Sequence, residues 1–127
     1  MLEIEPNTIE ASSFYKYVSQ NIYPVTLQDW YPDFLDPDNF VQPFLECPTL
    51  DPKTKGCEKG GTQSQGSFYY SDRMNKLIAA QGKETDPTKR QKIYADIQQL
   101  VQTDVPLIPL WQTKDVVFAK KVGYVNQ

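Results

Sequence analysis

Apolar and polar residues follow two different periods along this chain. Leu2-Glu3-Ile4-Glu5 alternates with a period of two, which reads as a short strand ended by Pro6. Asn7 stands three residues before Glu10, a capping-box pattern. Ile9, Phe14, Tyr17 and Val18 then recur near helical spacing, so a helix is predicted over 8–20, with Asn21 as its stop. Val25-Thr26-Leu27 reads as a second short strand after Pro24. Strand, helix, strand in that order predicts a βαβ unit with parallel strands.

Periodicity is lost over 30–70. Prolines at 32, 37, 43, 48 and 52 and glycines at 56, 60, 61 and 66 argue against a long helix or an interior strand. Trp30, Tyr31, Phe34, Phe40 and Phe44 predict that the first half packs down, whereas 46–66 reads as a polar, flexible loop. The helical period returns at Ser71, with Met74, Leu77 and Ile78 on one face and Gly82 at the end. Asp86-Pro87 supplies an N-cap and a proline at the first helical position. Ile93, Ile97, Leu100 and Val101 follow as an apolar stripe, predicting a helix over 87–103. Lys89 and Arg90 lie near its positive end, where cations are unfavourable. Residues 105–111 are apolar but hold two prolines, which suits an extended edge, and Val116-Val117-Phe118-Ala119 is β-prone. Three or four short strands with about three helices make a thin α/β sheet. That is expected of a piece of a larger lobe and not of a free-standing domain.

Composition narrows the chemistry. The 127 residues suffice for one domain. A net charge of −3 with scattered basic residues gives no stripe for nucleic acid, and Lys114, Lys120 and Lys121 read as a solvated edge. No segment reads as membrane-spanning. Met1-Leu2-Glu3 has no signal-peptide character, so any export signal is expected outside this sequence. The absence of histidine removes the usual triads and most zinc sites, and no metal or cofactor is expected. Cys47 and Cys57 flank nine residues rich in Pro, Lys and Gly. A disulfide closing that loop is the simpler reading and would fit an oxidising compartment. A pair of unrelated free thiols is the alternative.

Asp29, Asp33, Asp36 and Asp38 crowd ten residues. Paired carboxylates suit a glycoside hydrolase, but the spacing from Asp33 fails the calcium-loop pattern, with Asp38 at position six and Phe44 at twelve. Asp36 and Asp38 read as turn residues. Asp33 differs, because it sits among Trp30, Tyr31 and Phe34 just after a predicted strand. A carboxylate beside aromatic rings can pair with an ammonium group. A satisfied turn carboxylate stays open as the plainer alternative. The glycines at 60, 61 and 66 read as a flexible loop, and the serines lack a histidine base.

The run Trp30-Tyr31-Pro32-Asp33-Phe34, followed by Asp36-Pro37-Asp38-Asn39-Phe40, resembles the W-x-x-D-[YF] and D-P-x-x-[FY] signature of family 5 extracellular solute-binding proteins. Tyr70-Ser71, then Thr85-Asp86-Pro87 with Arg90, Tyr94 and Gln98, and then Asp104-Val105-Pro106-Leu107-Ile108-Pro109-Leu110 match that family's ending in order. The resemblance implies that residues 1–127 are one C-terminal lobe fragment of a two-lobed, Venus-flytrap α/β protein of the type II periplasmic class. It implies a periplasmic or extracytoplasmic location and no enzyme activity. The expected ligand is a short peptide, bound for delivery to a membrane ABC permease; a nickel chelate or sugar, or a carboxylate hydrolase, are the alternatives. Asp33 takes the place of the family's ammonium-pairing aspartate, with Trp30 and Tyr31 as further ligand-binding candidates. An exposed sheet edge in a truncated lobe would favour self-association.

Overall fold

The computed structural model describes Glu3 and residues 5–114. Among these described residues, five helices and one two-stranded sheet make a small mixed α/β domain. In chain order these are α1 (Ala11–Ser19), α2 (Asp38–Leu45), β1 (Thr49–Leu50), β2 (Cys57–Lys59), α3 (Gly61–Ser64), α4 (Asp72–Gln81) and α5 (Pro87–Asp104).

The last two helices follow local rules. Ser71 caps α4, its hydroxyl accepting from the Met74 N–H at 3.2 Å. Asp86 caps α5 by accepting from the N–H groups of Thr88 and Lys89 at 2.8 and 3.0 Å, and Pro87 opens that helix. Their apolar faces meet α2, and Val41, Leu45, Met74, Ile78, Ile97 and Leu100 form the core. Met74 is fully buried at its centre.

The parallel βαβ unit is not what the chain forms. Residues 25–27 lie in no strand, and Val25 and Leu27 are exposed. A strand exists only against a partner, and no neighbouring segment offers residues 25–27 a ladder. Glu3 and Glu5 are not in a strand either, while Leu2, Ile4 and the 116–119 stretch lie outside the described residues. Residues 105–111, expected as an extended edge, enter no ladder. Helix α1 starts later than its capping box suggests: Glu10 is the N-cap, and neither side chain of the Asn7–Glu10 pattern caps it.

The 46–66 segment, expected as a flexible loop, is folded. Its two strands pair antiparallel, Thr49 opposite Lys59 and Leu50 opposite Cys57, with a bulge between them. Cys47 and Cys57 are disulfide-bonded and buried. The Asn75 side chain of α4 donates to the Cys47 carbonyl at 2.6 Å and accepts from its N–H at 3.0 Å, holding the hairpin base to the core. Proline and glycine counts forecast turns here, but they carry no information about the cross-link that orders them. Gly66 adopts φ +82°, and a Cβ there would lie 2.5 Å from Val18 Cγ1, so glycine lets α1 approach α3. Strands of two and three residues offer a second copy only a short edge. No helix among the described residues is long and apolar enough to cross a membrane.

Candidate functional site

The four aspartates at 29–38 do not act as a cluster. Asp36 and Asp38 are committed to structure. The Arg90 guanidinium grips Asp36 bidentately, Nη1 to Oδ2 at 2.7 Å and Nη2 to Oδ1 at 2.8 Å. Arg90 also donates to Gln81 Oε1 and to the Tyr94 hydroxyl at 3.0 Å. Tyr94 donates in turn to Gln81 Oε1 at 2.7 Å, and Gln81 Nε2 donates to Asp38 Oδ1. The guanidinium carbon lies 5.3 Å from the Tyr94 ring centroid. One arginine thus joins the turn before α2, the end of α4 and the start of α5. Its charge near the positive end of α5, uncompensated in the sequence, is neutralised by an aspartate 54 residues away.

These bonds set the local ionisation. The Arg90 hydrogen bonds, then the Asp38 N–H that donates to Oδ1 at 2.8 Å, hold the Asp36 carboxyl at about 2, against a smaller opposing effect of burial. Arg90 is pushed further up, first by its bonds to Asp36. Burial pushes the Tyr94 phenol up to about 12 despite the nearby arginine, so it remains a donor at neutral pH.

Asp33 is placed differently. It is exposed, and among the described residues its carboxylate has no hydrogen-bond or ion-pair partner. Its backbone, by contrast, is fixed. Asn39 is 6% exposed on α2, and its Oδ1 accepts from the Asp33 N–H at 3.1 Å and from Trp30 Nε1 at 3.1 Å. The Trp30 ring packs edge-on against Phe44 with centroids 5.3 Å apart. Tyr31 stands 70% exposed on the same turn. The arrangement is an unpaired carboxylate on a braced aromatic turn, suited to receiving a cation.

The structure keeps Trp30, Tyr31 and Asp33 on the segment ahead of α2, apart from an open cleft. That open cleft, of ≈ 740 Å³, lies between the α2 entry and α5 and is lined by Leu35, Phe40, Val41, Arg90, Tyr94 and Ile97 among others. None of the three candidate residues lines it. Among the described residues no three acidic or cysteine side chains converge as metal ligands would. Sequence reasoning missed Asn39, and the only signal for it was its place inside the D-P-x-x-[FY] turn.

In sequence the chain is similar to periplasmic peptide-binding proteins. Two relatives carry that similarity. The probable D,D-dipeptide-binding periplasmic protein DdpA of Escherichia coli (strain K12) is 28% identical over 95 residues, 75% of this chain and 16% of its own length. The peptide transport periplasmic protein SapA of Haemophilus influenzae is 27% identical over 97 residues, 76% of this chain and 15% of its own length. The chain therefore corresponds to about a sixth of each relative. No established family's sequence profile matches it, and no solved structure does.

Proposed function

We propose that this chain is a C-terminal lobe portion of a peptide-binding component of an ABC transporter, acting outside the cytoplasm and partnered by a membrane permease. Residues 1–127 form one domain of that larger, two-lobed protein. The ligand is a short peptide with a free amino terminus. Asp33 neutralises its ammonium group, and Trp30 and Tyr31 flank that group with aromatic surface. The peptide backbone is held like an added strand, and closure of the second lobe over the exposed turn completes the pocket. No bond is made or broken, and no cofactor is needed.

One observation carries this reading: Asp33 is an exposed carboxylate, without a partner among the described residues, on a segment whose indole and backbone are both fastened to α2. Asp36 and Asp38 lie on the same stretch but are bound to Arg90 and Gln81, which leaves them unsuited to a mobile ligand. The names of the two relatives, both periplasmic and peptide- or dipeptide-directed, support the same ligand class.

Calorimetry on the full-length protein with di- to pentapeptides tests it. Asp33→Ala is expected to weaken binding by roughly ten- to a hundredfold, the loss of a charge-assisted contact of about 1.5–3 kcal/mol. N-acetylation of the tightest-binding peptide is expected to have a similar effect on the native protein. Native affinity in the mutant would remove Asp33 from the site.

A further inference from the structure

We propose that Asn39 is the positioning residue of this recognition segment, fixing the backbone that carries the Asp33 carboxylate relative to the Trp30 indole. The inference rests on the peptide-binding reading above and concerns a residue that need not touch the ligand.

The geometry is specific to one atom. Asn39 Oδ1 accepts two hydrogen bonds of 3.1 Å, one from the Trp30 indole N–H and one from the Asp33 backbone N–H. A side-chain amide oxygen has two lone pairs, so this atom is used to capacity. The two donors are three residues apart in sequence and are otherwise joined only by a turn containing Pro32. Asn39 itself sits in the first turn of α2 with little exposure. Two further contacts keep α2 from drifting. Phe44, one helical turn and a residue further on, supports the indole ring, and Asp36 just ahead of the helix is gripped by Arg90. The chain of support therefore runs from α5 through Arg90 and Asp36 to α2, and from α2 through Asn39 to the turn.

An ammonium recognised by one carboxylate beside one indole face requires both at a fixed separation. Displacement of about 1 Å is enough to lose much of such an interaction. Without the shared oxygen, Trp30 would keep its Phe44 contact, but Asp33 would be tied to it only through the backbone between them. Asn39 then governs discrimination for the charged amino terminus, more than general affinity for the rest of the peptide.

Two measurements on the full-length protein test this. The first needs no mutation: hydrogen exchange of the Trp30 indole N–H and the Asp33 amide, followed by NMR in the absence of peptide. Both protons are expected to be protected at least tenfold relative to an unstructured peptide. Unprotected exchange at either would overturn the inference whatever the mutants do. The second compares native protein, Asn39→Leu and Asn39→Asp for binding of the tightest peptide of the panel and its N-acetylated form. Asn39→Leu removes the acceptor at similar volume. It is expected to shrink the preference for the free-amine peptide about tenfold while changing binding of the acetylated form less than threefold. Asn39→Asp retains the acceptor and is expected to keep the preference within threefold of native. A general structural defect would lower both affinities together and leave the preference intact, and that result would count against a positioning role. Loss of the preference in Asp33→Ala but not in Asn39→Leu would sink this inference and leave the peptide-binding reading standing. No effect in Asp33→Ala would sink that reading, and the ligand-governing role of Asn39 with it, whereas protected exchange would still uphold the bracing of the turn.

Discussion

Arg90 carries more interactions than any other side chain around the candidate site. Its guanidinium satisfies both oxygens of Asp36, the Gln81 carbonyl and the Tyr94 hydroxyl. A lysine has one ammonium and lacks the planar fork, so Arg90→Lys is expected to lose about 1–2 kcal/mol in urea unfolding, with Arg90→Met losing more. The pH dependence follows from Asp36. Its folded value of about 2 lies below the 3.8 of an unperturbed aspartate. The bond therefore contributes fully above about pH 4 and is lost as pH falls through about 2. Because the carboxylate is about a third exposed, screening limits that contribution to about 1–2 kcal/mol. Native protein minus Arg90→Met should show a stability difference that shrinks over this acid range. A difference unchanged between pH 5 and pH 2 would contradict the assignment. The sequence contained a sign of this pair, a cation at the unfavourable end of a helix, but not its partner. Nothing local links position 90 to position 36. Asp33 could be singled out because its aromatic neighbours are adjacent in sequence, whereas Asn39 could not, because its role exists only once α2 folds back onto the turn.

Helices α4 and α5 were legible because everything that defines them is local: Ser71 and Asp86 as caps, Pro87 at the start, and an apolar stripe ending in Leu100 and Val101. Helix α2 was hidden by its prolines. Pro37 precedes it and Pro43 lies inside it, removing one backbone donor, so it runs only eight residues and passes for a turn region. The expected parallel strands failed for the opposite reason. Alternation at Val25-Thr26-Leu27 is a local property, but pairing is not, and the ladder formed instead where the hairpin base is cross-linked. One feature of α5 remains unfavourable. Val105 ends the helix at φ 47° and ψ 53°, the left-handed region that a β-branched residue resists. It is more than half exposed, so little packing depends on its side chain. Val105→Gly is therefore expected to stabilise the protein by about 1 kcal/mol, read as a higher midpoint in urea at unchanged slope. A lower midpoint would mean that the valine side chain contributes packing exceeding the backbone cost.

At the scale of the molecule, two halves are held by different means. The α2–α4–α5 half is a hydrophobic core around Met74 and Ile97. The half containing α1, the hairpin and α3 buries far less, with Val18, Cys47, Cys57 and Thr62 as its most enclosed residues. A small apolar core gives limited stabilisation, and such regions depend on cross-links. The Cys47–Cys57 bridge closes a short loop, for which the chain-entropy argument gives about 2–3 kcal/mol. Its loss should be felt unevenly. The bridge ties β2 to the residue that follows α2 by two positions, and Asn75 fastens that residue to α4. Reduction should therefore loosen the hairpin and α3 first and leave the Met74 core intact. Hydrogen exchange with and without dithiothreitol distinguishes the outcomes: faster exchange expected at the Cys57 N–H, which donates to the Phe68 carbonyl, and at the Thr62 N–H, which donates to Glu46, with the amides of Ile97 and Leu100 unchanged. Uniform acceleration across all four would instead mean that the two halves unfold as one cooperative unit, with the disulfide bracing the whole domain and, through α2, the turn that carries Asp33.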